Sequence, residues 1–231
     1  MKVTVKAIGV NRADVFYRQG KYPVFGIELA GVTKDGKRIA AIVDGGAYAH
    51  EAEVEEGSYL ELPANMSFIE GAAIIEALYT SYYNLVGLCG LKAGENVLIH
   101  GGASGIGVVA IQLAKLLGAN VSATSGKPEK LKLITELGAE AIDYTKGFGE
   151  NKFDVILDIV GGSYFNANLA ALKNGGRLAI ISFIGGAKVD VNLAPLLLKN
   201  LSVFGSTVRS LSAEQKAGIA KNIAPYFGKV K

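Results

Sequence analysis

The sequence of 231 residues has one cysteine, two histidines and five prolines. A single cysteine, Cys89, cannot form a disulfide within the chain and cannot supply the thiolate cage of a structural zinc site. A lone thiol of this kind is more often a small buried hydrophobic residue than a nucleophile. These counts exclude disulfide scaffolds and cysteine-rich metal domains.

Long apolar runs and strong net charge are also missing. No apolar stretch approaches the ~20 residues that a membrane-spanning helix needs, and the amino terminus becomes polar too early for a secretory signal. The formal net charge is +3, with acids and bases interspersed, which gives little reason to expect a nucleic-acid partner. We therefore expect a soluble, cytoplasmic protein with neither a membrane nor a nucleic-acid partner.

The pattern of the sequence changes near residue 65. Before that point the apolar segments are short and strand-like, as in KVTVKAI (2–8), RIAAIV (38–43) and YAHEAEVEEGSYLEL (48–62). Turns rich in Gly and Asp separate these segments. The pattern predicts a small β domain built as a partial barrel or a sandwich.

From Ser67 onward strands and helices alternate. Ser67 and Glu70 form a candidate capping box, and Ser212 starts the last helix with a similar box. Strands that are apolar on both faces and separated by helices predict a parallel sheet covered on both sides. The predicted fold is therefore α/β: a small β domain (1–66) followed by a doubly wound parallel Rossmann sheet (67–231). The predicted strands of this sheet are 96–100, 120–124, 139–144, 153–160, 177–183 and 201–208, and the helices between them include 103–117, 128–137 and 164–173.

Glycines stand between a strand and an amphipathic helix in LIHGGASGIGVVAIQLAKLL (98–117). Such a loop permits a tight turn, and the amides that open the helix bind a pyrophosphate. Two registers match the dinucleotide pattern G-x-G-x-x-G/A, GIGVVA (105–110) literally and GASGIG (102–107) with serine at the second glycine. We favour the second because the strand should end just before the first glycine. It predicts cofactor contacts at Gly102, Ser104, Gly105, Ile106 and Gly107.

The second strand of this unit ends without an acid. An NAD site carries Asp or Glu about 20 residues after the glycine loop to bind the ribose 2′-hydroxyl, but SATSGKPEK (122–130) has no acid before Glu129. Lysine and serine bind a 2′-phosphate that a carboxylate would repel, so NADP(H) is favoured over NAD(H). An ordinary solvated helix start is the alternative explanation for the lysines. The candidate residues here are Ser125, Gly126, Lys127 and Lys130.

Four segments together resemble one family: VNRADVFYRQGKYP (10–23), VLIHGGASGIGVVAIQLAKLLGA (97–119), ATSGKPEKL (123–131) and DVILDIVGGSYF (154–165). They resemble the zinc-free, zeta-crystallin-like NADPH:quinone oxidoreductase branch of the medium-chain dehydrogenase/reductase superfamily, over nearly the whole chain and in family order. The resemblance implies a reduced GroES-like first domain and an enzyme that binds NADPH. It also implies hydride transfer from the nicotinamide to a quinone or an α,β-unsaturated carbonyl.

The resemblance further implies individual site residues. Asn11, Tyr22 and Arg209 are implied at the substrate cleft, and Thr80 is implied as a hydroxyl that contacts the cofactor near its nicotinamide end. Structural alternatives stay open, because Asn11 could simply turn the chain, Tyr22 could be a packed aromatic and Arg209 a surface cation. The other implied cofactor contacts are Lys130, Tyr144, Gly161, Phe183, Ile184 and Gly185.

No metal site is expected. The zinc-dependent members of the superfamily need Cys, His and Glu around the first-domain loop, and the matching segment FGIELAG (25–31) has no histidine. His50 and His100 are expected to be structural. A silent NADPH-binding module, acting as a sensor or partner protein, is the alternative function because the first domain is shorter than the family pattern.

Two further expectations concern the sheet. In the order 3-2-1-4-5-6, the link TKGFGENK (145–152) must close a diagonal of about 22 Å with eight residues that reach about 26 Å when extended. The link therefore has no room for a helix, and one sheet face should be thinly covered. The segment LSVFGSTV (201–208) should be an exposed edge strand, which invites pairing. The family resemblance implies a homodimer joined through the equivalent strand.

Overall fold

The computed structural model describes residues 1–20 and 25–231, except for the side chains of Phe16 and Tyr17. The strands are β1 (Lys2–Ile8), β2 (Glu28–Thr33), β3 (Arg38–Ile42), β4 (Glu51–Glu53), β5 (Tyr59–Glu61), β6 (Asn96–Ile99), β7 (Asn120–Ser125), β8 (Glu140–Asp143), β9 (Phe153–Asp158), β10 (Leu172–Ile180) and β11 (Ser202–Gly205). The α-helices are α1 (Arg12–Arg18), α2 (Phe68–Tyr82), α3 (Gly105–Leu116), α4 (Pro128–Glu136), α5 (Phe165–Ala171), α6 (Ala194–Leu198) and α7 (Ala213–Phe227).

The chain divides into two compact units, which are residues 1–80 with 208–231 and residues 81–207. This division differs from the predicted domains 1–66 and 67–231. Residues 67–80 belong to the first unit because α2 packs on its sheet, where Gly71 leaves no space for a side chain against Leu62.

The first unit contains an antiparallel sheet in the order β4-β1-β2-β3-β5. Its core includes Val3, Leu29 and Ile39, each fully buried. The strand-like pattern predicted β1, β3 and the β4–β5 region, but not β2, which is buried on both faces and therefore shows no alternation.

Both predicted capping boxes are present in the first unit. At the start of α2, the Glu70 amide donates to Ser67 Oγ at 3.2 Å and the Ser67 amide donates to Glu70 Oε2 at 2.8 Å. At the start of α7, Ser212 and Gln215 exchange the same two bonds. Such boxes satisfy amides that have no acceptor within a helix, so both helices begin where the sequence predicts.

The second unit contains a parallel sheet in the order β11-β10-β9-β6-β7-β8. Written by position along the chain, this is 3-2-1-4-5-6, so the predicted Rossmann topology is confirmed. Hydrophobic clusters line its two faces, with Ile99, Ile111 and Ile134 in one cluster and Leu98 and Ile156 in the other.

The link between β8 and β9 consists of a 3₁₀ turn, Tyr144–Lys146, followed by irregular residues. The sequence predicted thin cover on the sheet face beside this link, and Phe148 from the link contributes to that cover, being only 7% exposed and packed against the cluster that contains Leu98 and Ile156. The Phe148 side chain thus helps to cover this face of the sheet, although the link between β8 and β9 contains no α-helix.

Several element boundaries differ from the predicted ones. The helix after the glycine loop begins at Gly105 because Ser104 caps it, and β10 begins at Leu172 rather than at residue 177. The short helix α6 was not predicted. Among the described residues, no helix is long and apolar enough to cross a membrane.

Candidate active site

The glycine loop lies between β6 and α3, at the carboxyl ends of the parallel strands. Ser104 caps α3 by accepting a hydrogen bond from the Gly107 amide at 3.1 Å. A side chain at Gly107 would collide with the carbonyl oxygen of Gly101, and one at Gly102 would lie 2.6 Å from the Cβ of Ala123. Glycine is therefore needed at both positions for the helix and β7 to approach the loop.

The start of α3 is open to a ligand. Gly105 is exposed, and a Cβ built there would meet no atom within 4 Å. The amides of Gly105 and Ile106 lie in the first turn, where they have no acceptor within the helix, and the helix dipole adds positive potential. One short turn thus collects the five predicted loop residues around a helix start of the kind that binds anions in proteins.

The end of β7 lies beside this loop, because the Gly102 amide donates to the Thr124 carbonyl oxygen at 3.0 Å. Of the residues that follow, Ser125 is buried, whereas Lys127 and Lys130 are exposed at the start of α4. Two exposed ammonium groups therefore lie near the end of the strand where an NAD site carries an acid.

Tyr144, which follows β8, lies against the turn that follows β7. Its ring packs so closely over Gly126 that a side chain at this glycine would collide with the ring, and the tyrosine is 45% exposed. Asp143 pairs in register with Ser125, but its carboxylate accepts bonds from the Thr145 amide at 3.0 Å and the Thr145 hydroxyl at 2.7 Å. Asp143 is thus held by hydrogen bonds within the turn that follows β8.

The structure brings the last two predicted cofactor segments together. The Gly185 amide donates to the Val160 carbonyl oxygen at 2.7 Å, and a side chain on Gly161 would lie 2.9 Å from the Cα of Phe183. Phe183 and Ile184 are 59% and 50% exposed. This pair of loops presents two uncovered apolar side chains above the end of β9.

A buried polar network lies beneath these loops and was not predicted. His100 Nδ1 lies 3.1 Å from the Thr124 hydroxyl, and Nε2 lies 2.7 Å from Asn168 Oδ1. Asn168 donates to Asp158 at 3.0 Å, and the other carboxylate oxygen accepts from the Val160 amide at 2.6 Å. The four polar side chains are at most 1% exposed. Together they tie the ends of β6, β7 and β9 to the loop at Val160.

The donors in this network can be assigned. Asn168 uses its Nδ2 on the carboxylate, so its Oδ1 faces His100 and Nε2 must carry the hydrogen. Nδ1 then accepts from the Thr124 hydroxyl. Burial lowers the pKa of His100 to about 4 and raises that of Asp158 to about 6. The imidazole is therefore neutral at physiological pH, and both of its ring nitrogens are bonded within the protein.

In the first unit, a pair of carboxylates joins two of the predicted site residues. Asn11 Nδ2 donates to Glu28 Oε1 at 2.6 Å, and the Glu76 amide donates to Glu28 Oε2 at 3.0 Å. Thr80 donates its hydroxyl to Glu76 Oε1 at 2.8 Å. Desolvation raises the pKa of Glu76, and the Thr80 hydrogen bond and the charge of Arg209, from the turn before α7, offset only part of this rise.

Asp14 organises the backbone around Asn11. Its carboxylate accepts from the Asn11 amide at 2.7 Å, the Gly26 amide at 3.1 Å and the Tyr48 hydroxyl at 2.9 Å. Tyr48 stacks on Phe25 with ring centroids 6.2 Å apart, and the two rings are 41% and 39% exposed. An aromatic surface thus lies beside Asn11. Tyr22, the remaining catalytic candidate, lies outside the described residues.

The carboxylates of the first unit are functional candidates that the sequence prediction missed. One signal was available for Glu28, which is a single acid inside an apolar strand and is 4% exposed. Glu76 interrupts the apolar run AAIIEAL in the same way. Burying a charge is costly unless it is paired and hydrogen-bonded, and acids in such environments cluster at functional sites. Nothing in the local sequence pattern shows that Glu28 and Glu76 are in contact.

Metal ligands are sparse in the part of the chain that the structure describes. No group of three or more His, Cys, Asp or Glu residues could hold a metal ion there. Burial raises the pKa of Cys89 to about 12, so this thiol stays protonated. His100 has both ring nitrogens engaged.

Comparison with known proteins gives consistent relatives. The family model described as zinc-binding dehydrogenase matches residues 105–223. A quinone oxidoreductase from Pongo abelii is 31% identical over 242 residues, covering 92% of this chain and 73% of that protein. The structure of a Pseudomonas syringae pv. Tomato DC3000 quinone oxidoreductase has a TM-score of 0.84 at 30% identity, covering 100% and 81% of the two chains. The quinone oxidoreductase from Thermus thermophilus, solved also as its complex with NADPH, has a TM-score of 0.82 at 31% identity, covering 98% and 77%.

Proposed function

The chain belongs to the quinone oxidoreductase branch of the medium-chain dehydrogenase/reductase superfamily, and we propose that it is an NADPH-dependent reductase of quinones or α,β-unsaturated carbonyls that works without a metal. Bound NADPH supplies the hydride. The observation that carries the proposal is the open turn at Ser104–Gly107, where amides without helical acceptors meet the helix dipole.

The residues of the second unit fit NADPH. The pyrophosphate would rest on the amides of Gly105 and Ile106, and the adenine ribose would lie near Gly126. The exposed lysines Lys127 and Lys130 would bind the 2′-phosphate, because they stand where an NAD site carries an acid. In the solved relative from Thermus thermophilus the ligand is also NADPH.

The first unit supplies groups suited to an acceptor. Hydride arrival on a conjugated carbonyl leaves negative charge on its oxygen, which hydrogen-bond donors stabilise in a site that excludes water. Asn11 and Arg209 are the candidate donors that the structure describes, and Tyr22 is a third candidate from the sequence. We therefore assign acceptor binding to the first unit and the phosphate and adenine-ribose contacts of the cofactor to the second.

Metal independence is supported by the state of two side chains that could otherwise bind zinc: Cys89 remains a thiol and His100 is engaged within its hydrogen-bond network. The charge-stabilising role that a metal plays in zinc-dependent relatives would here fall to hydrogen-bond donors and Arg209. Activity that is unchanged by chelators is the expected result.

We also propose a homodimer formed through β11. This strand is at the edge of the six-stranded sheet, where unpaired backbone groups invite pairing. Nearby apolar side chains are uncovered, with Leu197 and Leu198 79% and 75% exposed. Sedimentation at micromolar concentration should give the dimer mass, and a monomer mass would contradict this assignment.

The decisive experiment is NADPH consumption by the purified protein with a panel of quinones and enals. The proposed function predicts oxidation that depends on the acceptor, with little rate when NADH replaces NADPH. If NADPH binds and stabilises the fold but no acceptor supports its oxidation, the silent NADPH-binding module is the correct function instead.

A further inference from the structure

The polar residues of the first unit form one continuous line of hydrogen bonds. The line runs from Asn11 through Glu28 to the Glu76 amide, and from the Glu76 carboxylate to Thr80, with no bond longer than 3.0 Å. Its two ends are residues that the sequence assigned to the substrate and the cofactor. Its middle consists of two acids for which the proposed function has so far given no role.

Glu28 occupies an unusual electrostatic position. It is 4% exposed, and the ionisable groups that face it are Glu76 from α2, Asp14 from α1 and the Tyr48 hydroxyl. The positive charge of Arg209 acts on Glu76. Desolvation and the charge of Glu76 together raise the pKa of Glu28 to about 7. Both protonation states are therefore populated near neutral pH.

The two states of Glu28 hold the Asn11 amide differently. An ionised carboxylate only accepts, so it takes a hydrogen from Nδ2 and leaves Oδ1 pointing away, as in the structure. A protonated carboxyl can donate instead, so it pairs with Oδ1 when the amide rotates by half a turn about its terminal torsion, which is soft. Protonation of Glu28 therefore turns the NH₂ group of Asn11 away from the carboxyl.

We propose that Glu28 is the positioning residue for Asn11 and that its protonated form is productive, because this form leaves the NH₂ group of Asn11 available to the acceptor oxygen. The inference rests on the proposed function, in which hydride transfer places negative charge on that oxygen. Glu76 supports the arrangement by donating its amide to Glu28 and by setting the charge beside it.

The test compares pH profiles of kcat/KM for NADPH oxidation with a quinone. In the parent, kcat/KM should fall as the pH rises through about 7. Glu28→Gln cannot ionise but can still donate to Asn11 Oδ1, so it should lose this fall and keep a rate near the parent's low-pH value. Glu28→Leu removes the bond, so kcat/KM should be at least tenfold below the parent's low-pH value and should not change as the pH passes through about 7.

Two further variants make the test specific. Glu76→Gln removes a negative charge beside Glu28, which makes ionisation easier, so the midpoint should move to lower pH. Glu61→Gln makes the same chemical change at an exposed acid of β5 and should leave the midpoint in place. Thermal unfolding of each variant identifies any change in kcat/KM that is due to loss of fold.

The outcomes separate this inference from the proposed function. If Glu28→Gln keeps the parent's pH dependence, or if folded Glu28→Leu has the parent's kcat/KM, the role of Glu28 is refuted while the reductase assignment stands. If the parent binds NADPH in a fluorescence titration but no acceptor supports oxidation, both the reductase assignment and the role of Glu28 in it are refuted.

Discussion

Replacing His100 by phenylalanine tests the buried network beneath the cofactor loops. The imidazole packs edge-on against Phe148 and Tyr164, with ring centroids 4.8 and 4.9 Å away. His100→Phe keeps an aromatic ring in this position and removes only the two polar contacts. The substitution therefore isolates the hydrogen bonds from the packing.

The cost can be worked from the two partners that lose their bonds. The Thr124 hydroxyl and Asn168 Oδ1 are both buried, and a buried group left without its partner costs about 1–3 kcal/mol. The expected loss is about 2–6 kcal/mol in the free energy of unfolding, which corresponds to a fall of roughly 10 °C in Tm at this chain length. His100→Gln, which can still donate to Asn168, should lose less.

Denaturation at several pH values sharpens the test. Because the pKa of His100 is lowered to about 4 in the folded state, the unfolded chain binds its proton first as the pH falls below about 6.5. The parent therefore loses stability from this group at up to about 1.4 kcal/mol per pH unit, and the variant does not. The difference in the free energy of unfolding between the parent and His100→Phe should therefore become smaller as the pH falls from 6.5 to 4. A difference that is near zero at pH 7, or that widens in acid, would refute the assignment.

Three other sites, tested by five substitutions, address the fold and the assembly. Phe148→Ala should destabilise the second unit by about 3–5 kcal/mol in chemical denaturation, because it opens a cavity in the core, whereas Phe148→Leu should cost far less; equal costs would contradict the packing role. Lys216 is 4% exposed, 2.6 Å from Asp44 and 4.0 Å from Glu55, so Asp44→Ala should lower the free energy of unfolding more than Glu55→Ala, by about 1 kcal/mol after allowance for solvent screening; the reverse order would show that the closer pair is not the stronger. Val203→Lys should shift the sedimenting species from dimer to monomer because it places a charge on the edge strand, and an unchanged dimer would exclude this interface.

The nucleotide-binding unit could be predicted because its signals are local. The strand, the glycine loop, the helix and the lysines all lie within residues 96–130, so spacing alone indicates which groups meet. The parallel sheet could also be predicted from the sequence, because strands that are apolar on both faces must be covered on both sides. The network around His100 escaped prediction because Asn168 is 68 residues away from it and has no local signal of burial.

The first unit was less predictable for a different reason. An amphipathic period shows that a helix buries one face, but not which sheet receives it. The sequence prediction therefore placed α7 in the second domain, whereas it groups with the first unit. Glu28 and Glu76 are 48 residues apart in the sequence, and they meet only because α2 packs beside β2. Phe148 lies in a glycine-rich link, where composition predicts an exposed loop.

The central claim is that a 2′-phosphorylated dinucleotide binds at the glycine loop and at Lys130. Calorimetric titration with NADPH and NADH tests it most directly, using the parent, Lys130→Glu and the matched control Lys132→Glu on the same helix. We predict that the parent binds NADPH at least tenfold more tightly than NADH. Lys130→Glu should remove this preference, and Lys132→Glu should retain it. Equal affinity of the parent for both cofactors, or an unchanged preference in Lys130→Glu, would contradict the account.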